Sequence, residues 1–217
     1  MPAFDIGRFV ESCFAALDTD RPVDTIRDLL NLTVSKPSSL IEGLPDPLGQ
    51  ELVLFRDPRL TIIQVTIAPG LQYPPHNHLM EAAIGLYSGI ERNLWYGSTG
   101  HDSILVRGAS ELQSKDTIKM NGRVIHAVAN PAGHHSAGLH VYLGDLIAHD
   151  RTLWHPDTLQ PMPFDNDKYF GLVREAEAAR QDTREPHTPK QTSDAQGQLP
   201  HRGVDSTQRS GQVSGER

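Results

Sequence analysis

The chain has 217 residues, 37% of them hydrophobic, and a formal charge of −7, enough for one domain of ordinary size with material to spare. No Lys/Arg run is present, which argues against nucleic acid as a partner. No stretch approaches the ~20 apolar residues of a membrane-spanning helix, which argues against a membrane. Cys13 is the sole cysteine, so no internal disulfide can form. Together with an N-terminus lacking the basic and apolar regions of a secretory signal, this leads us to expect a cytoplasmic protein.

In chain order, Phe4, Phe9, Val10, Cys13, Phe14 and Leu17 recur at helical spacing, predicting a helix over 3–17 with Cys13 as a buried structural thiol. Thr19-Asp20-Arg21-Pro22 then opens a second amphipathic helix carrying Val23, Ile26, Leu29 and Leu30. Prolines at 37, 45 and 47 interrupt the chain beyond that helix. Residues 1–45 thus read as a helical cap without chemistry of its own. From residue 51 the pattern changes to short, β-branched runs separated by Gly, Pro, Asn and Asp: 51–55, 60–67, 73–78, 82–87, 91–96, 103–106, 117–120, 123–128 and 139–143. That spacing predicts an all-β core, a sandwich or barrel, over 46–180, closed by a helix from about residue 169. From 181 to 217 few apolar residues remain and acids balance bases. Such a segment is expected to be a disordered tail.

Eleven histidines are present, and their placement matters more than their number. His76 and His78 stand at i and i+2, so on a strand both imidazoles project from one face. His126 alternates with Val124 and Val128 on another strand. Three neutral imidazoles can bind a first-row divalent ion and leave coordination positions open. Gly138, His140 and Tyr142 share a face of a further strand, placing a proton donor and an acceptor together. Arg56, if it points inward with Leu52 and Leu54, needs an anionic partner. His134 and His135 read as exposed loop residues, and Trp95 and Trp154 as packing.

These residues also carry a resemblance. Gly70, His76, His78, Glu81 and Gly89 resemble the first cupin motif, and Gly122, His126 and Asn130 the second, with Met120 or a neighbour where the family has proline. Within cupins, Leu54-Phe55-Arg56-Asp57-Pro58, Pro75-His76-Asn77-His78, His126-Ala127-Val128-Ala129-Asn130-Pro131 and Leu139-His140-Val141-Tyr142 are similar to the cysteine dioxygenase-type thiol dioxygenases, in the same order, over residues 52–145. The resemblance implies a cupin double-stranded β-helix (a jelly-roll barrel) with N-terminal helices. It implies iron(II), or another divalent first-row metal, on His76, His78 and His126. Arg56 is implied to clamp a substrate carboxylate, and His140 and Tyr142 to support the reaction from beside the ligands, Tyr142 donating a hydrogen bond.

The implied activity is Fe(II)-dependent dioxygenation of a small thiol carboxylate to a sulfinate. The partners are then a small-molecule substrate and O2, and the protein a monomer or homodimer. Three departures stand out: Gly138 replaces the serine preceding the His-x-Tyr pair, Ala82 stands near the crosslinking cysteine of some members, and Glu81 lies one residue from the position of a fourth, carboxylate ligand. If Glu81 binds the metal, an oxygenase or lyase acting on a non-thiol metabolite becomes the better reading; a non-catalytic metal- or ligand-binding cupin is the third.

Overall fold

The computed structural model describes residues 2–46, 51–100 and 103–182. Three helices come first: α1 (Ile6–Leu17), α2 (Pro22–Val34) and α3 (Pro37–Gly43). Asp5 caps α1 by accepting the Arg8 amide at 3.1 Å, and prolines occupy the first turns of α2 and α3, where a missing N–H costs nothing. Of the apolar stripes foreseen from spacing, Phe9 and Cys13 on α1 and Val23, Ile26 and Leu30 on α2 are buried, together with Ala16 and Val34, while Phe4, Val10, Phe14, Leu17 and Leu29 are half-buried. They pack against Leu60, Ile62, Ala83, Leu139 and Val141 on the outer face of a sheet, forming one continuous core with it. Gly85 permits this closeness, since a Cβ there would lie 2.8 Å from Val34 of α2. Burial pushes the Cys13 thiol up to about 12, so it is a packing residue and a poor nucleophile.

Among the described residues eleven strands follow: β1 (Glu51–Asp57), β2 (Leu60–Ile67), β3 (His76–Asn77), β4 (Ala82–Ser88), β5 (Ile90–Gly100), β6 (Ser103–Gln113), β7 (Thr117–Met120), β8 (Ile125–Ala129), β9 (Ser136–Tyr142), β10 (Thr152–Trp154) and β11 (Pro161–Pro163), and then α4 (Asn166–Asp182). They form two antiparallel sheets, ordered β1-β2-β9-β4-β7 and β11-β10-β3-β8-β5-β6. The result is a two-sheet, all-β barrel with the N-terminal helices packed on one sheet. Between the sheets lies a second core containing Ile63, Val65, Ile67, Ile84, Leu86 and Val128.

β2 is buried along its whole length because one face meets the helices and the other the barrel interior. This is why its sequence is a continuous apolar run rather than an alternation. The β5–β6 hairpin is longer than expected, and β10 and β11 were not foreseen; three residues each, they exist because β3 offers an edge at Leu153↔His76. Helix α4 takes in residues 181 and 182. The remainder of the expected disordered tail, 183–217, lies outside the described residues. No helix among the described residues is long and apolar enough to cross a membrane.

Candidate metal centre

Strand pairing brings the three histidines together. His76 on β3 is the register partner of His126 on β8, which in turn pairs with Trp95 on β5. His78 follows β3 by one residue and turns back onto the same point. One nitrogen from each ring lies within 4.8 Å of the others, and the Nε2 atoms of His78 and His126 are 3.2 Å apart. Two nitrogens each ~2.1 Å from a shared ion at near-right angles would stand about 3 Å apart, so the His78–His126 spacing fits a first-row metal. The ring orientations fit as well: His76 Nδ1–H donates to the Pro74 carbonyl at 3.0 Å and His126 Nδ1–H to Asn93 Oδ1 at 2.7 Å, leaving each Nε2 lone pair for the ion. Trp95 stacks on His126 with ring centroids 5.8 Å apart, so it braces a ligand as well as packing.

All three rings are buried. Burial lowers the His76 pKa to about 4 and pulls those of His78 and His126 well below their ordinary value. The neutral form that a metal requires is therefore the one the fold favours. The consequence for stability has a definite sign. In the metal-free protein, an unfolded histidine titrates near 6.5 and folded His76 near 4, so between those values the unfolded chain binds more protons. Stability is complete above about pH 6.5 and falls as pH drops towards 4, by about 3 kcal/mol from His76 alone. Urea unfolding of metal-free protein at pH 7.5 and 4.5 measures this; a pH-independent midpoint would contradict it.

The pocket over the histidines is small, with about 40 Å³ of free space, room for about three waters. His140 and Tyr142, from β9 on the facing sheet, both line it, His140 Nδ1 lying 3.3 Å from the Tyr142 hydroxyl. The Tyr142 ring stands edge-on to His78 at 4.9 Å. A Cβ at Gly138 would sit 3.1 Å from the Gly85 carbonyl oxygen and 3.6 Å from His140 Nε2. A serine there would be crowded, and the carboxylate of Glu91 approaches that Nε2 instead, at 3.3 Å.

Two expected site residues are placed elsewhere. Arg56 does not line the pocket: a register shift between Val53 and Phe55 breaks the alternation from which an inward face was inferred. Its guanidinium, 46% exposed, instead makes a two-pronged contact with Asp145, at 2.8 and 3.0 Å. Glu81 is exposed and outside the cluster of candidate ligands. Its neighbour Ala82 faces the core, and one residue along a strand reverses the face. His134 is exposed as expected, whereas His135 is half-buried.

The sequence reading missed three pocket residues that carry charge or a hydroxyl. Arg151 enters the pocket wall from just before β10, its guanidinium 3.7 Å above the Phe164 ring and its buried Nε without a hydrogen-bond partner. Burial pulls its pKa below the usual guanidinium value. Glu51, at the start of β1, accepts a hydrogen bond from the Tyr169 hydroxyl at 3.3 Å, and burial raises its carboxyl pKa. Tyr169, from α4, lies edge-on over His76 at 5.4 Å and so covers the site. A lone Arg or Glu with no motif around it gives no sequence signal; only the chain's return past β3 places Arg151 here.

No family model matches the chain, and no curated protein matches it. Solved structures do resemble it. A DMSP lyase, DddQ from Ruegeria pomeroyi, aligns at 22% identity over 46% of this chain and 46% of its own, with a TM-score of 0.36. An oxalate decarboxylase variant from Bacillus subtilis aligns at 23% identity over 40% of this chain and 22% of its own, TM-score 0.35. A cupin superfamily protein from Desulfitobacterium hafniense aligns at 15% identity over 50% of this chain and 87% of its own, TM-score 0.37. The chain thus spans less than half the length of the lyase it aligns with. These are distant likenesses of fold, and the chemistry of the site is read from this chain's own residues.

Proposed function

We propose that the protein is a non-haem iron(II) oxygenase that converts a small thiol carboxylate into its sulfinate, R–S⁻ + O2 → R–SO2⁻. The observation that carries this reading is a ligand set of three neutral histidines, with no carboxylate among them in the described residues, facing a small pocket lined by Arg151, whose buried Nε has no hydrogen-bond partner. Bound iron(II) supplies adjacent open positions for a thiolate and O2, with the substrate's negative charge offsetting an all-neutral ligand set. Arg151, rather than Arg56, takes the substrate carboxylate; its rigid fork suits two oxygens, and the Phe164 face steadies it. Tyr142 hydrogen-bonds the reacting group, and Tyr169 with Phe164 keeps bulk water out. The free space of about 40 Å³ favours a substrate of a few heavy atoms. A cytoplasmic setting suits an iron(II) site and a lone reduced cysteine.

A second reading has its own support: the Glu51 carboxyl, raised by burial and facing the same pocket, is suited to removing a proton from carbon beside a metal-held carboxylate, as a lyase acting on a non-thiol metabolite would require. An oxygen-electrode screen of iron-loaded protein with cysteine, 3-mercaptopropionate and mercaptosuccinate separates the two. Thiol-dependent uptake of one O2 per sulfinate formed is expected; no uptake with any of the three removes the thiol reading and favours the lyase or a binding role.

A further inference from the structure

Beside the histidines runs a line of buried polar groups, hydrogen-bonded except where Glu91 meets His140, that the metal site alone does not explain. His126 Nδ1–H donates to Asn93 Oδ1 at 2.7 Å, and Asn93 Nδ2–H donates to Glu91 Oε1 at 3.0 Å. The other Glu91 oxygen, Oε2, lies 3.3 Å from His140 Nε2, and His140 Nδ1 lies 3.3 Å from the Tyr142 hydroxyl. Glu91 is 1% exposed and Asn93 0%. Neither residue lines the pocket, and no Arg or Lys pairs with Glu91 among the described ion pairs. A carboxylate buried without a cationic partner costs several kcal/mol, and a pair kept only for packing would be more stable as apolar residues.

We propose that Glu91 is a positioning residue that sets the direction of the hydrogen bonds on both sides of the metal site. This rests on the three histidines being metal ligands. A carboxylate only accepts. Asn93 must therefore turn its NH2 to Glu91 and its carbonyl to His126, which obliges His126 to carry its proton on Nδ1 and to present Nε2 to the ion. On the other side, His140 carries its proton on Nε2, towards Glu91. Its Nδ1 is then an acceptor, so the Tyr142 proton points to His140 and the Tyr142 oxygen turns its lone pairs to the pocket. In the empty pocket Tyr142 is thus an acceptor, and giving a hydrogen bond to a thiolate or O2, as the resemblance implied, requires its proton to turn away from His140. One buried charge fixes a ligand tautomer and the polarity of the tyrosine that faces the substrate.

Glu91→Gln tests this because an amide accepts at only one of its two terminal atoms, so one arm must reverse. The arm to His126 is held by bonds of 2.7 and 3.0 Å, whereas the His140 contact, at 3.3 Å, is an ion-pair distance without hydrogen-bond alignment. The His140 arm is expected to give way. Long-range 1H–15N correlation spectra of the imidazoles in the metal-free full chain should show the His140 proton on Nε2 in the wild type and on Nδ1 in E91Q, with His126 unchanged. Co(II) affinity should stay within about threefold while turnover falls about 10–100-fold.

Asn93→Ala tests the other arm and stands by itself if E91Q does not fold: His126 loses its fixed tautomer, and Co(II) affinity drops about 10–100-fold. Unchanged tautomers in E91Q, or unchanged Co(II) affinity and His126 tautomer in N93A, would overturn the role of Glu91. The spectra need no substrate, so a failed thiol screen leaves this test intact.

Discussion

His126→Ala is expected to abolish specific metal binding. The ring is buried and is the meeting point of the site: its Nε2 faces that of His78, its Nδ1 is held by Asn93, and Trp95 lies flat against it. Removing a ligand should lower affinity by more than the roughly 10–100-fold that loss of an outer hydrogen-bond partner costs. The measurement must separate this from any destabilisation caused by the cavity and by the stranded Asn93 carbonyl. Metal at a hundred times its Kd stabilises a folded protein by about 2.7 kcal/mol. Wild-type protein should therefore show a metal-dependent rise in Tm and one iron per chain by elemental analysis, whereas the variant should show neither, whatever its own starting Tm. Retained stoichiometric iron would remove the metal centre and with it the proposed chemistry.

The second large effect concerns two arginines with opposite expectations. Arg151→Ala should raise KM for the thiol carboxylate and lower kcat/KM roughly a hundredfold, the loss of a two-pronged charge-assisted contact of about 3 kcal/mol. Arg151→Lys should recover part of this, because the charge remains while the fork is lost. Arg56→Ala should leave kinetics unchanged and cost at most about 1 kcal/mol in urea unfolding, because its ion pair with Asp145 is largely exposed. Equal kinetic damage from both variants, or damage from Arg56→Ala alone, would return the carboxylate to Arg56.

The contrast between the arginines shows how far strand alternation can be read. Alternation placed His76 and His126 on one inward face because β3 and β8 pair in regular register there, whereas His78 lies one residue beyond β3 and reaches the same point through the turn that follows it; the amphipathic spacing of Phe9, Cys13, Val23 and Ile26 likewise anticipated the helical cap. It failed for Arg56 because one extra residue in β1 shifts the face, and a bulge leaves no mark in composition. It was ambiguous for Glu81, where one residue decides between ligand and solvent; the pairing of Ala82 with Tyr142 and Met120 turns Glu81 outward.

The sequence by itself thus determined an all-β core, the amphipathic helices that cap it, and the facing of His76 and His126, because each is written as a local period that survives folding. Only the tertiary structure decided the charged groups around them. Glu51 opens the first strand, Glu91 and Asn93 sit in the fifth, and Arg151 lies beyond the last barrel strand of the histidine-tyrosine pair, with Tyr169 on the closing helix. Groups so far apart in sequence meet through sheet order and through the return of the chain over the barrel mouth. Their local sequence holds no trace of one another, since the desolvation and hydrogen bonding that give them meaning arise only once the core has closed.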